Sequence, residues 1–299
     1  MMTVWVVVVT HNGEHWLKTC LNSLANHQVI VIDNASTDHT SEILTPFPHI
    51  RLSKNLGFGR ANNIGIRHAL DNGADYVFLL NQDAWVAPDA IETLVAQAEQ
   101  NPAFGLLSPV HLLASGIAVE AGFSSEILNQ GNKDFFSDLY MGKTQVVYSV
   151  ERVNAAAWLL SSACLREVGG FDPLFFMYGE DFDLCNRVLH HGWKIGVVPS
   201  AVIFHDKVYR KHPGWSGIPR RSQRLYADFL FPLKQPQRRL VINLAFWGLD
   251  IGYAVLKAII DRNLPEFFAL WMALITTLWR LPQITQHYAR CRRKGAHWL

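Results

Sequence analysis

Three carboxylates crowd into four residues of an aromatic, glycine-punctuated stretch between residues 169 and 187. Glu180, Asp181 and Asp183 lie where a folding argument alone would place apolar side chains. Acidic side chains are rarely buried without a partner, and crowding of like charges raises the pKa of at least one of them. A carboxyl group with a raised pKa suits general-base catalysis. The same residues suit the first turn of a helix, whose dipole favours negative charge. We expect both: a helix begins here, and one carboxylate at its start does chemistry.

Three further polar clusters each follow an apolar run, at residues 4–9, 28–32 and 76–80. Runs that are apolar on both faces are typical of central parallel strands, and segments with helical spacing separate them. This alternation predicts an α/β layered sheet. Ligands bind at the carboxyl ends of the strands in such sheets, so we expect the clusters to converge, although each alone is also ordinary loop chemistry. The clusters are Thr10-His11-Asn12-Gly13, Asp33-Asn34-Ala35-Ser36 and Asn81-Gln82-Asp83.

The side chains in these clusters indicate nucleotide and metal chemistry. Asp83, after a strand, suits Mg²⁺ or Mn²⁺, which prefer oxygen ligands and often share them with a diphosphate. Asp33 and Asn12 lie at neighbouring strand ends and suit the edge of a base or ribose. A glycine-rich turn at residues 55–65 enters a helix and carries one early cation, Arg60, which is suited to phosphate.

Charge divides the 299-residue chain into two parts. Residues 1–204 hold 11 basic and 20 acidic side chains, whereas residues 205–299 hold 16 basic and 5 acidic ones.

Four scattered cysteines show no metal-ligand spacing and favour free thiols in a reducing compartment. No secretory leader pattern precedes the first strand, so we do not expect secretion. The basic part contains no zinc-finger, RNP-like or basic-zipper pattern, so we expect no nucleic-acid partner.

The basic part also contains two long apolar segments. In the first, residues 240–257, polar Asn243, Asp250 and Lys257 recur every seven residues on one helical stripe and leave a broad apolar face. The second, residues 267–279, carries no charge but is too short to span a bilayer, which takes about 20 residues. Basic clusters flank both, so the segments are typical of helices that lie in an anionic membrane interface. The alternative is a helical hairpin packed on the catalytic part or across a homo-oligomer.

The order of these motifs resembles glycosyltransferase family 2, more narrowly its bacterial rhamnosyltransferase-like members that build surface polysaccharides on lipid carriers. The resemblance covers residues 4–206 and implies a GT-A fold, an α/β architecture in which a Rossmann-like mixed, mainly parallel sheet is flanked by helices. The motifs that carry it are Val-Val-Thr10-His-Asn12, Ile-Asp33-Asn-Ala-Ser-Thr-Asp38, Asn55-Leu-Gly57-Phe-Gly-Arg-Ala-Asn-Asn63-Ile-Gly65, Leu-Asn81-Gln-Asp83-Ala and Gly169-Gly-Phe-Asp172 continuing to Gly179-Glu180-Asp181-Phe-Asp183.

The resemblance also implies a role for each site residue. Asp181 is the expected catalytic base and Glu180 orients it, while Asp83 and His205 hold Mg²⁺ or Mn²⁺. The first acid of the DxD-type metal motif is replaced by the amide of Asn81. The residues expected to bind the nucleotide-sugar donor are Thr10, Asn12, Asp33, Asn55, Gly57, Arg60, Asn63 and Asn81.

The expected organisation is a catalytic domain at 1–206, a basic connecting region at 207–239 and a membrane-associating helical region at 240–299. The expected reaction is an inverting, metal-dependent transfer of L-rhamnose from dTDP-L-rhamnose to a polyprenyl-diphosphate-linked glycan at the cytoplasmic face of the plasma membrane. A UDP-hexose or UDP-galactofuranose donor is the first alternative. A nucleotidyltransferase and a non-catalytic sugar-nucleotide-binding protein are the others.

Overall fold

The computed structural model describes residues 2–130, 132–207 and 215–299, so part of the predicted basic connecting region lies outside the described residues. The strands are β1 Val4–Thr10, β2 Gln28–Asp33, β3 His49–Arg51, β4 Tyr76–Asn81, β5 Ala84–Val86, β6 Phe104–Leu113, β7 Tyr148–Val150, β8 Ala157–Ser161 and β9 Lys194–His205. The helices are α1 Leu17–Asn22, α2 Thr40–Leu44, α3 Phe58–Asp71, α4 Ala90–Gln100, α5 Ala121–Asn129, α6 Lys133–Met141, α7 Ser162–Val168, α8 Glu180–His190, α9 Ile218–Leu233, α10 Leu240–Ile260, α11 Leu264–Trp279 and α12 Leu281–Cys291.

The strands form one mixed sheet in the order β3-β2-β1-β4-β8-β6-β9-β5, with β7 also paired to β9. The first four strands are parallel, as their apolar runs predict. Beyond β4 the sheet changes character, because β8 runs antiparallel to both of its neighbours and β5 and β7 run antiparallel to β9. The predicted mixed α/β sheet flanked by helices is therefore confirmed, but parallel pairing dominates only its first half.

Alternate residues of the strands feed two apolar layers, one on each face of the sheet. Val7 belongs to one layer, together with Leu79 of β4. Its neighbours Val6 and Val8 belong to the other, together with Phe78. Because both faces are covered, the strand reads as a continuous apolar run rather than an alternating one.

The C-terminal helices build a third apolar cluster around α9, which packs against α10, α11 and the segment before α8. Asn243 is fully buried at this junction and donates hydrogen bonds to the carbonyls of Leu233 and Gln235, at 3.2 and 3.0 Å. The predicted polar stripe of α10 is therefore divided, because Asn243 packs inward while Asp250 and Lys257 are exposed. This helix has one apolar face against the protein and a second apolar face toward solvent.

Two exposed apolar stripes, which we call the α10–α11 apolar surface, lie on these neighbouring helices. Among the described residues, α10 is the one helix that is long and apolar enough by itself to cross a membrane; α11 and α12 meet the same criteria together but are bent by 67°. The surface comprises Val241, Leu249, Tyr253, Leu256 and Ile260 of α10 and Leu264, Phe268, Trp271, Ile275 and Trp279 of α11.

Candidate active site

Strand pairing brings Asp83 and His205 together. In the antiparallel β5–β9 pair, Ala84 lies opposite His205, which places the preceding Asp83 beside the end of β9. The Oδ1 atom of Asp83 is 3.3 Å from Nε2 of His205, and the Asp83 carbonyl accepts a 2.8 Å hydrogen bond from the Asp206 amide. His205 is buried, whereas the Asp83 side chain is 24% exposed, so the pair opens toward solvent on the carboxylate side.

A third group, Glu120, lies behind this pair. Its Oε2 atom is buried, makes no hydrogen bond in the described part of the chain, and lies 3.7 Å from Nδ1 of His205. Burial acts to lower the pKa of His205, but Asp83 and Glu120 outweigh it and raise that pKa to about 9. A carboxylate behind a histidine orients the ring of many metal-ligating histidines. The two carboxylates favour positive charge here, so a divalent cation that displaced the Nε2 proton of His205 would find Asp83 and Nε2 as ligands. Glu120 is a contributor that no local sequence pattern indicated.

Gln82 connects this predicted metal motif to the end of β1. Its Oε1 atom accepts hydrogen bonds from the Thr10 hydroxyl at 2.7 Å and from the His11 amide at 2.8 Å. The backbone N–H of Asn81 donates to the Ala156 carbonyl at 2.9 Å. Thr10 and Asn81 thus lie at one edge of the sheet, as predicted. The hydrogen bonds described here join them to Gln82 and Ala156.

Asp33 offers an unused acceptor at the neighbouring strand end. Its Oδ1 accepts a 2.9 Å hydrogen bond from the Ser36 amide, whereas Oδ2 is buried, 3.6 Å from Nε of Arg51, and makes no hydrogen bond within the described residues. This oxygen has the charge of Arg51 nearby but no hydrogen bond, so it can accept one from a ligand donor. Asn12 uses its Oδ1 to hold the Thr37 amide at 2.8 Å, so it shapes the loop beside this oxygen.

The glycine-rich turn contacts the carboxylate segment. Gly57 has φ of +85°, and a Cβ there would lie 2.1 Å from the Phe176 carbonyl oxygen, so only glycine fits. The Phe58 amide donates to that carbonyl at 3.1 Å, and Arg60 donates to the Pro173 carbonyl at 2.8 Å. The groups that the sequence assigned to phosphate therefore have protein partners here, and their contact with a donor stays a prediction.

Two asparagines of the turn brace it from within. Asn63 pairs with the Phe171 backbone, donating to its carbonyl at 2.8 Å and accepting from its amide at 2.7 Å. Asn55 accepts hydrogen bonds from the Asn34 side chain at 3.0 Å and from the Gly57 amide at 2.8 Å. Both residues hold the turn in place, and nothing in these contacts tests their expected role at the donor.

The helix predicted at the carboxylates is present, since α8 begins at Glu180 after Gly179. Burial raises the pKa of Asp181 to about 6, against the opposing effect of hydrogen bonds from the Phe182 and Ala155 backbone. Burial and the Asp181 charge raise the pKa of Glu180 to about 8, and its buried Oε2 has no hydrogen-bond partner in the described structure. A partly accessible carboxyl group with a pKa near 6 is a suitable base at neutral pH.

Asp181 and the predicted metal motif are connected through two adjacent backbone residues. Ala155 hydrogen-bonds the Asp181 carboxylate, and the next residue, Ala156, accepts the hydrogen bond of the Asn81 amide. Because β8 begins directly afterwards and pairs with β4, this short segment joins the two halves of the site. This segment therefore connects Asp181 to the Asn81-Gln82-Asp83 cluster.

The third carboxylate of the motif, Asp183, is paired with cations inside the protein. Its Oδ2 accepts from Nε of Arg187 at 2.9 Å, and its Oδ1 lies 2.6 Å from Nζ of Lys234, which also contacts the Asp172 carboxylate. Asp172, Asp183 and Cys291 lie close enough together to hold a metal ion. The Lys234 ammonium already supplies the cation there, so we assign these acids to an ion cluster.

The raised pKa of Glu180 makes stability depend on pH in a defined direction. The folded protein holds this proton up to about pH 8, whereas the unfolded chain releases it near the ordinary glutamate pKa of 4.5. The free energy of unfolding therefore falls as pH rises through that interval. We expect Glu180→Gln, which is permanently neutral, to flatten this dependence in urea titrations between pH 5 and 8. An unchanged slope relative to the wild type would contradict the assignment.

Two family models match the chain: glycosyl transferase family 2 at residues 5–111 and glycosyl transferase family group 2 at residues 76–283. The N-acetylglucosaminyl-diphospho-decaprenol L-rhamnosyltransferase of Mycobacterium tuberculosis is 31% identical over 234 residues, which cover 68% of this chain and 76% of that protein. Rhamnosyltransferase WbbL of Escherichia coli is 27% identical over 229 residues, covering 70% and 84%.

The fold is also similar to that of a solved enzyme. The mannosyltransferase PcManGT of Pyrobaculum calidifontis, in complex with GDP-Man and Mn²⁺, superposes with a TM-score of 0.56 at 18% identity, covering 97% of this chain and 85% of that one. This likeness identifies the architecture as GT-A-like. The family matches and the two rhamnosyltransferase relatives show that this chain is a rhamnosyltransferase-like glycosyltransferase of family 2.

Proposed function

We propose that the protein transfers L-rhamnose from dTDP-L-rhamnose to a hydroxyl of a polyprenyl-diphosphate-linked glycan. The observation that carries the reaction type is the position of Asp181, held by Ala155 beside the Asn81 cluster with a raised pKa. The M. tuberculosis and E. coli relatives are rhamnosyltransferases, which supports rhamnose, and the former acts on a diphospho-decaprenol glycan, which supports a lipid-diphosphate acceptor.

Asp181 accepts the proton of the acceptor hydroxyl as that oxygen attacks the anomeric carbon of the donor sugar. The bond from the anomeric carbon to the nucleoside diphosphate breaks on the opposite face, so the configuration inverts. Glu180, protonated at neutral pH, leaves Asp181 as the basic member of the pair. Asp83 and His205 would hold Mg²⁺ or Mn²⁺, which when bound neutralises the charge of the departing diphosphate.

The proposed base is tested by Asp181→Asn, assayed with dTDP-L-rhamnose and a polyprenyl-diphosphate-linked N-acetylglucosamine acceptor. We expect kcat to fall by about 10²–10⁴-fold, because only the proton acceptor is lost. Donor binding, measured by thermal shift across a panel that includes UDP-hexoses and UDP-galactofuranose, should be nearly unchanged. In the wild type, kcat/KM should decline as pH falls through about 6.

Two controls accompany this experiment. Asp71→Asn alters an exposed aspartate at the end of α3 and should retain wild-type turnover. Glu180→Gln should be milder than Asp181→Asn. Retention of most of the turnover by Asp181→Asn would refute its role as the base. Greater thermal stabilisation by a UDP-sugar than by dTDP-L-rhamnose would show that the proposed donor is wrong.

The metal site is tested by chelation and by its supporting carboxylate. EDTA should stop transfer and Mn²⁺ or Mg²⁺ should restore it, while Asp83→Ala and His205→Ala should weaken Mn²⁺ binding in calorimetry. Glu120→Gln should weaken it by about 10–100-fold, because Glu120 orients His205 without being a proposed ligand. Full activity in EDTA would show that the site works without a metal.

The C-terminal helices support a membrane location for this reaction. The α10–α11 apolar surface is large and exposed, and Arg239 and Arg262 stand exposed at the two ends of α10. Apolar side chains with cations at their margin match the acyl chains and headgroups of an anionic bilayer. We propose that this surface rests in the interface of the cytoplasmic membrane leaflet, where a lipid-linked acceptor is presented.

Liposome flotation tests this location. The full-length protein should float with vesicles that contain phosphatidylglycerol, and 1 M NaCl, where the Debye length is about 3 Å, should weaken binding. Leu249→Glu should reduce binding about tenfold or more, since burying one such side chain contributes about 1.5–3 kcal/mol. Ile117→Glu, at a residue 86% exposed in the catalytic part, is the matched control. Binding that resists salt and Leu249→Glu would favour a spanning α10.

A further inference from the structure

A buried cluster of charged groups joins the C-terminal helices to the carboxylate segment. Lys234, the residue after α9, is 1% exposed and contacts the carboxylates of Asp172 and Asp183. Arg187 pairs with Asp183 at 2.9 Å, and Nδ1 of His287 on α12 lies 2.7 Å from Asp172. The described structure therefore places two acids and two permanent cations out of contact with water.

The two acids that Lys234 contacts bracket the segment that carries the proposed base. Asp172 precedes that segment and also accepts a 2.8 Å hydrogen bond from the Leu174 amide. Asp183 follows it, in the first turn of α8, two residues after Asp181. One ammonium group thus connects the start of residues 172–183 to their end.

The segment between these acids has a conformation that needs external support. Tyr178 adopts φ of +74°, which is uncommon for a residue with a Cβ and costs about 1–3 kcal/mol. Phe176, Met177 and Tyr178 are all exposed, so they contribute little core packing. The Phe176 carbonyl is held by the Phe58 amide on one side. Lys234 supplies the corresponding restraint from the α9 side.

We propose that Lys234 is a positioning residue for transfer, which clamps residues 172–183 so that Asp181 meets the acceptor hydroxyl. This inference rests on the proposed function, because it assigns a role in presenting the base of that reaction. Lys234 itself does not touch the reacting atoms. Its effect on rate comes from geometry, and misplacement of a catalytic group by about 1 Å can cost about 100-fold.

The test separates positioning from stability by a charge-compensated pair. Lys234→Met alone leaves a buried carboxylate underpaired and is expected to destabilise the fold. Asp172→Asn combined with Lys234→Met removes one acid and one cation together, leaving Asp183 paired with Arg187. We expect this double variant to recover most of the wild-type stability, yet to show a kcat about 10–100-fold below wild type with an unchanged KM for the donor.

Hydrogen exchange provides a second readout that does not require activity. Amides of residues 174–183 should exchange faster in the double variant than in the wild type, while amides of β1 and β4 should not change. Lys234→Arg replaces the ammonium group with a guanidinium group and keeps the positive charge. Its kcat should therefore lie between that of Lys234→Met and that of the wild type. Lys143→Met, at an exposed lysine after α6, is the matched control and should match the wild type in every measurement.

Wild-type kcat and wild-type exchange in the folded double variant would overturn the proposal and leave the cluster with a purely structural role. Recovery of kcat in parallel with stability would overturn it as well. If the wild type transferred sugar from none of the donors, the proposed function would fail, and the exchange measurement would still decide whether Lys234 clamps the segment.

Discussion

The contact of Lys234 with Asp172 and Asp183 joins the two electrically different parts of the chain. Removing these charges from water costs several kcal/mol per ion, and that cost is met only when every partner is in place. The remaining donors of Arg187 reach the carbonyls of Val168 and Gly170, at 2.8 and 2.7 Å. The catalytic segment and the C-terminal helices are therefore parts of one structural unit, even though their sequences differ so much in composition.

Both halves of the sheet contribute residues to the candidate site. The parallel strands bring Thr10, Asp33 and Asn81 to one edge, as expected for this architecture. Asp181, the proposed base, and His205 come from other elements: Ala155, just before β8, holds Asp181, and β9 carries His205 to the same edge. The strand ends proposed to bind the nucleotide thereby gain groups suited to the proposed displacement reaction.

Local pattern predicted much of this structure. The apolar runs located three parallel strands, and the crowded acids correctly marked the start of α8. The partners of those acids were not predictable, because an ion pair such as Asp172 with Lys234 joins positions 62 residues apart and leaves no periodic signal. Glu120 was missed for the same reason. The seven-residue recurrence of polar residues predicts that Asn243 lies on an exposed polar stripe, whereas tertiary packing buries it against the end of α9.

The protonation of Glu180 has a consequence for the approach of an anionic donor. Of the three acids in the first turn of α8, Glu180 holds its proton to about pH 8, and the charge of Asp183 is cancelled by Lys234 and Arg187. Near neutral pH, only Asp181 therefore presents an uncompensated negative charge from this turn. Like charges in a cleft repel an incoming anion and slow its association. The acid-rich segment that carries the proposed base therefore adds little repulsion against the diphosphate of the proposed donor.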